Sequence, residues 1–168
     1  IYIGDNKVKN SERTTPESNK LQEILSKMYE LGVEVVVMEV SSQSLKLDRV
    51  AGIEFYAGVF TNLSEDHISE KEHENMQEYF DSKMKLFNMC KYAFINADNI
   101  YTTKVPELLT GKCKVETYGI DNYCDFLAKD VTITNVSADF KAKFDKKNER
   151  IKVSIPGRFS VYNALAAI

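Results

Sequence analysis

Eight residues, VEVVVMEV at 33–40, constrain the fold of this chain more than any other stretch. A β-branched apolar run broken only by glutamates suits a central parallel strand covered on both faces. Parallel neighbours need crossover connections, so helices must stand between the strands. The flanking sequence supplies them. Thr14-Thr15-Pro16-Glu17 reads as a helix start, with a hydroxyl N-cap, proline in the first turn and an acid near the positive end of the dipole. Leu21, Ile24, Leu25, Met28 and Leu31 then recur at helical spacing, and Gly32 closes the helix. Past Ser41-Ser42, a polar segment through Asp48-Arg49 leads to a second strand near 55–61. Ser64 can cap a short helix carrying Glu65, Asp66 and His67, and a strong helix follows near 74–89. The strand KYAFIN, the turn Ala97-Asp98-Asn99 and a helix around 105–109 complete the series. This alternation predicts an α/β fold of three layers around a mostly parallel sheet.

After Lys114 the pattern changes. VETYG, DFLAKDVTITN, SADFKAKF and RIKVSIPG alternate apolar and polar residues, with polar turns such as Asp145-Lys146-Lys147-Asn148. They predict a small antiparallel β appendage. The expected division is therefore 1–113 parallel α/β, 114–156 antiparallel, and 157–168 the start of a closing helix, SVYNALAAI.

At 168 residues this is one domain's worth of chain, with 43% hydrophobic residues, 28% charged and a formal net charge of −3. That balance gives no reason to expect nucleic acid or an anionic membrane as partner. No apolar run reaches the roughly 20 residues of a membrane-spanning helix. Cys90, Cys113 and Cys124 are odd in number and form no C-x-x-C, which reads as reduced thiols in a cytoplasmic protein. The chain begins at Ile1, inside what reads as structure, so a piece of a longer enzyme is expected.

Three side chains stand where an ordinary core would want apolar ones: Glu39 ending VVVMEV, His67 just after FTN, and Lys83 inside an amphipathic helix. Open α/β sheets hold ligands at the carboxyl ends of their strands, where Glu39 and the 61–67 segment fall. Glu39 either escapes to solvent there or pairs with a cation, because a bare carboxylate beside a valine core is costly. His67 is either a surface residue or, with Glu39, a ligand for a divalent cation, magnesium being expected where phosphate chemistry is involved. Lys83 follows Met76, Tyr79 and Phe80 by seven, four and three residues and precedes Phe87 by four, on the apolar stripe. It either snorkels at the helix edge or is desolvated, nucleophilic and open to carbamylation, which would make it an anionic metal ligand. Lys85 falls four after Asp81 and reads as a solvent-side ion pair. Thr14, Thr15, Ser41 and Ser42 put hydroxyls near helix starts, and Arg49 is a candidate clamp for a carboxylate or phosphate. Neither a G-x-x-x-x-G-K-[ST] phosphate loop nor a G-x-S-x-G elbow is present.

Taken in order, TTPES, MEVSSQSLKLDRV, VFTNLSEDHIS, YFDSKMKLF, INADN, TYG and PGRFSVYNALAA resemble the central, ATP-binding domain of the Mur ligase family over essentially the whole chain. Within it they are most similar to the members that add the third, diamino acid residue to the peptidoglycan precursor. The resemblance implies that Glu39 and His67 match magnesium ligands and that Lys83 matches a carbamylated lysine holding a second magnesium. It also implies that Thr14, Thr15, Ser41 and Arg49 contact the UDP-N-acetylmuramoyl-dipeptide, and that Asn163 contacts the ATP base. The implied reaction is ATP-driven activation of the substrate's D-glutamate carboxylate as an acyl phosphate, followed by attack of the amine of lysine or meso-diaminopimelate. Flanking domains of the same enzyme would be its partners, with the domains to either side and the phosphate loop lying outside this chain. Two departures touch the carried-over contacts: Gln43 stands where many relatives carry His, and Ser160 replaces the Asn of G-x-F-N. Two other readings remain: a folate polyglutamate ligase, which MEVSS and the Arg49 spacing oppose, and a non-catalytic Mur-like module binding a nucleotide-sugar.

Overall fold

Six strands pair in sequence order to form one sheet, parallel at one end and antiparallel at the other. In this computed structural model the described residues are 1–4, 6–7, 13–64, 68, 73–144 and 147–168. They divide into two units, Ile1–Ile53 with His67–Leu86, and Glu54–Asp66 with Phe87–Ile168.

The first unit opens with two short antiparallel strands, β1 (Tyr2–Ile3) and β2 (Asn6–Lys7). Helix α1 runs Ser18–Glu30 and buries Leu21 and Met28. Its C-terminus is closed as expected: Gly32 takes a positive φ of 75° and Val33 N–H donates to the Met28 carbonyl at 3.0 Å. Its N-terminus differs. The N-cap is Glu17 and makes no side-chain cap bond, because the Thr15 hydroxyl is engaged elsewhere. Helix α2 (Ser42–Lys46) occupies what the sequence showed only as a polar segment, and the Ser41 hydroxyl caps it by accepting from Ser44 N–H at 3.2 Å. The short helix expected at 65–67 lies outside the described residues. Helix α3 (Met76–Met84) is capped by Asn75, whose side chain accepts from Glu78 N–H at 2.9 Å. The Glu78 carboxylate in turn accepts from the N–H of Glu74, the residue before the cap, at 2.7 Å, which also ties down the helix start. A 3-10 turn, Lys85–Met89, continues it. Lys85 does not pair with Asp81. Its ammonium reaches the Leu45 carbonyl at 3.3 Å, and Asp81 accepts from the Gln77 amide instead.

The run 33–40 departs most from expectation. It enters no ladder among the described residues, and Val35 and Val37 are 77% and 93% exposed. Composition can mark a stretch as fit for a central strand, but a strand exists only where neighbours offer it N–H and C=O groups.

The second unit holds the sheet. Strands β3 (Phe55–Phe60), β4 (Cys90–Asn96), β5 (Lys114–Gly119) and β6 (Phe126–Ile133) are mutually parallel. Strands β7 (Ala138–Phe144) and β8 (Lys147–Val153) follow as antiparallel hairpins. The mostly parallel mixed sheet with a small antiparallel part is thus as expected, but antiparallel pairing begins between β6 and β7, later than the change in sequence character at Lys114. Helix α4 (Val105–Leu108) follows β4, and α5 (Arg158–Ala167) packs on β5, β6 and β7. Tyr118, Ala128, Phe140, Ala142, Val161 and Leu165 form the core between α5 and the sheet. The small residues Ala128, Ala138 and Ala142 let the helix approach, and Phe140 fills the space left between them.

INADN is a brace. Asn96 donates to the Thr61 carbonyl at 2.9 Å and Asn99 to the Leu63 carbonyl at 3.2 Å, so the turn after β4 holds the FTNL segment that leaves β3. Asp98 lies at the centre of a second knot. Its carboxylate accepts from the N–H groups of Ile120 (2.6 Å), Asp121 (3.0 Å) and Asn122 (2.8 Å), from the Asn122 amide (3.0 Å) and from the Tyr162 hydroxyl (2.9 Å). Gly119 is glycine for this reason, since a Cβ there would stand 3.0–3.2 Å from the Asp98 carboxylate.

Candidate active site

In the first unit the fold gathers Thr15, Glu39, Ser41, Ser42, His73 and Lys83. Thr15 is fully buried. Its hydroxyl donates to the Glu39 carbonyl and accepts from Ser41 N–H, both at 3.1 Å. One side chain thereby fixes the two peptide groups flanking Val40, in a segment that enters no ladder among the described residues. The hydroxyl expected to cap a helix and touch substrate is an internal staple, whereas Thr14 beside it is exposed. Ser41 spends its own hydroxyl on the α2 cap.

Lys83 is half-buried, with its ammonium 4.9 Å from the centroid of the Tyr79 ring. Burial pushes the Lys83 amine below the ordinary lysine range, and the negative charge of Glu39 pulls it the other way. The two residues singled out in the sequence therefore feel each other in the fold. His67 lies outside the described residues. Asn163 is exposed on α5 in the second unit.

Arg49 is 5% exposed, and its Nη2 meets Glu17 Oε1 at 3.1 Å. Its Nε is buried with no hydrogen-bond partner among the described residues. A guanidinium held with a donor unanswered is suited to an anionic ligand. The sequence missed His73. It is 1% exposed, its Nε2 lies 2.8 Å from Ser42 Oγ, and its ring stacks on Tyr79 at 4.8 Å. The one available signal was its being one of two histidines, placed just before a helix start.

Among the described residues no three His, Cys, Asp or Glu side chains gather as a metal cluster. The donor set still fits magnesium, which takes one or two protein carboxylates and leaves other positions to water and phosphate. Glu39 offers one carboxylate, and a carbamylated Lys83, whose amine feels the Glu39 charge, would offer a second anionic group.

The model of the Mur ligase middle domain matches residues 1–168, and the chain belongs to the Mur ligase family. Among its relatives is the UDP-N-acetylmuramoyl-L-alanyl-D-glutamate–2,6-diaminopimelate ligase of Caldanaerobacter subterraneus subsp. tengcongensis, 48% identical over 99% of this chain and 34% of that protein. A solved structure of a ligase of the same name superposes with a TM-score of 0.81, 27% identical over 92% of this chain and 32% of that one. The MurF ligase of Thermotoga maritima, solved with ADP, shares the fold at a TM-score of 0.56 and 13% identity, over 76% of this chain and 29% of that one. The chain spans about a third of the length of the curated relatives it matches.

Proposed function

We propose that this chain is the central part of an ATP-dependent amide-bond ligase that joins 2,6-diaminopimelate to UDP-N-acetylmuramoyl-L-alanyl-D-glutamate in the cytoplasm. The observation that carries the reading is the match of the Mur ligase middle domain over residues 1–168, with Lys83 half-buried over the Tyr79 ring in the same unit as Glu39. The relatives' name supplies the choice of diaminopimelate over lysine. The three cysteines are free thiols, which agrees with a reducing compartment, and no described helix is long and apolar enough to cross a membrane.

Glu39, His67 and a carbamylated Lys83 would hold magnesium, and Asn163 would meet the ATP base. Magnesium and ATP, when bound, supply the activating phosphoryl group and the counter-charge its transfer needs. The chain's own residues do the placing. Thr15 fixes the backbone that presents Glu39. Arg49, with its buried Nε unanswered, orients the anionic substrate, and the exposed Thr14 and the Ser41 turn line its path. Burial lowers the Lys83 amine, which favours the neutral form that reacts with carbon dioxide, and the Tyr79 ring lies under its tip. Further segments of the same enzyme supply the phosphate grip and the amino acid pocket.

The test is Lys83→Ala in the full-length ligase containing this chain, with formation of the tripeptide product from diaminopimelate followed. Product should be abolished, with partial return on adding a short carboxylic acid. Undiminished ligation would overturn the assignment of Lys83. Tight binding of the UDP-sugar without any turnover by the unmutated enzyme would replace a ligase with a binding module.

A further inference from the structure

Beyond the residues that resemblance points to, we infer that His73 is a positioning residue, tying the turn after Glu39 to the side chain of Lys83. The inference rests on the reading of Lys83 given above. His73 stands at a junction with two arms. On one, its Nε2 meets the Ser42 hydroxyl at 2.8 Å, and Ser42 is the first residue of α2, three beyond Glu39. On the other, its ring stacks on Tyr79 with an interplanar angle of 24° and a centroid separation of 4.8 Å. Tyr79, itself 3% exposed, carries the Lys83 ammonium over its ring at 4.9 Å.

Both arms end on the proposed site. The lysine's four-carbon stem has many rotamers, and holding its tip needs a fixed surface; the Tyr79 ring is that surface, and His73 fixes the ring. The hydroxyl arm does the same for the first turn of α2, whose other flank is stapled by Thr15. Glu78 completes the surround: its Oε2 lies 3.9 Å from His73 Nδ1, and its Oε1 meets Lys46 Nζ at 2.5 Å. An apolar residue could fill the volume of the imidazole, but it could not hold Ser42. That difference is what an experiment can read.

Three variants of the full-length enzyme test it: His73→Leu, His73→Gln and Tyr79→Leu. The first keeps volume and loses the polar arm, the second keeps a polar tip for Ser42 and loses the ring stack, and the third removes the platform. After reductive methylation with 13C-formaldehyde, the Lys83 methyl signal, identified by its absence in Lys83→Arg, should sit upfield from ring current. It should lose that shift in Tyr79→Leu and at least half of it in His73→Leu, while the exposed Lys91 is unmoved. For ligation, His73→Leu should lower kcat about tenfold with KM for the UDP-sugar dipeptide within about twofold, the size of one hydrogen bond plus one ring contact. His73→Gln should recover part of it. An unshifted Lys83 signal in the parent protein overturns the inference, as does a His73→Leu variant with both signal and kcat unchanged. If His73→Leu fails to fold, Gln and Tyr79→Leu carry the same comparison. An enzyme that shows the spectral change but no ligation with diaminopimelate defeats the proposed function and leaves the positioning role standing.

Discussion

The carboxylate of Asp98 gathers five hydrogen bonds, and Asp98→Asn should be among the costliest isosteric changes in the second unit. The amide has the shape of the carboxylate, yet one of the two oxygens becomes a donor. The smaller loss leaves the retained oxygen facing Ile120 N–H, Asp121 N–H and the Tyr162 hydroxyl. The new NH2 then meets Asn122 N–H and the Asn122 amide, donors that lose their acceptor. Hydrogen bonds to a charged group contribute about 1.5–3 kcal/mol each when well buried. The Asn122 side of the turn is exposed, so water replaces part of what is lost there. Two bonds lost and three weakened then come to roughly 2–4 kcal/mol.

The pH dependence follows from the same contacts. Burial alone would raise the Asp98 carboxyl, but the backbone N–H groups of Ile120, Asp121 and Asn122, with the Tyr162 hydroxyl, outweigh it and hold it below the usual carboxylate range. A folded-state pKa below the unfolded one gives stability that is complete above the ordinary aspartate value of about 3.9. It is lost as pH falls through the folded-state value. Urea unfolding of parent and Asp98→Asn, followed by circular dichroism at pH 7, 5 and 3.5, should show the full gap at the first two and a narrower one at the last. Gly119→Ala, whose new Cβ would press on the same carboxylate, should cost a similar amount and add less than its own cost to Asp98→Asn. A gap under about 0.5 kcal/mol at pH 7, the range of ordinary surface changes, would refute the reasoning, as would a gap indifferent to pH.

Phe140→Ala empties the fully buried centre of the α5–sheet core and should cost about 3–5 kcal/mol in the same urea assay. Burial pushes the thiols of Cys90 and Cys124 up to about 11, so iodoacetamide at pH 8 should label both far more slowly in the folded chain than in urea, by mass spectrometry.

What could be read from the sequence was local. The helix ending at Gly32, strands β3 and β4, the α3 stripe and the β7–β8 hairpin are all encoded by spacing over a few residues, and the structure has them. What escaped depends on distant partners. The Thr15 hydroxyl looked like a cap until residues 24 and 26 positions later claimed it. VETYG reads as a hairpin strand because alternation reports one solvated face and says nothing about direction; β5 runs parallel to both neighbours. For the site, residue type pointed to Glu39 and Lys83, and in the fold burial lowers the Lys83 amine while the Glu39 charge opposes it. His73 was invisible because its meaning lies in Ser42, 31 residues away.

A sheet that runs in sequence order has two edges, and here they are unlike. At one end β8 sets Lys147, Glu149, Arg150 and Lys152 along its length, and such charges discourage a foreign strand from docking. At the other end β3 reads FYAGVF, with Tyr56 72% and Val59 38% exposed, and among the described residues nothing pairs with its outer side. One margin is guarded against self-association and the other is a template for it. Association between copies is therefore expected to begin at β3, and solubility work should be directed there rather than at the charged hairpin.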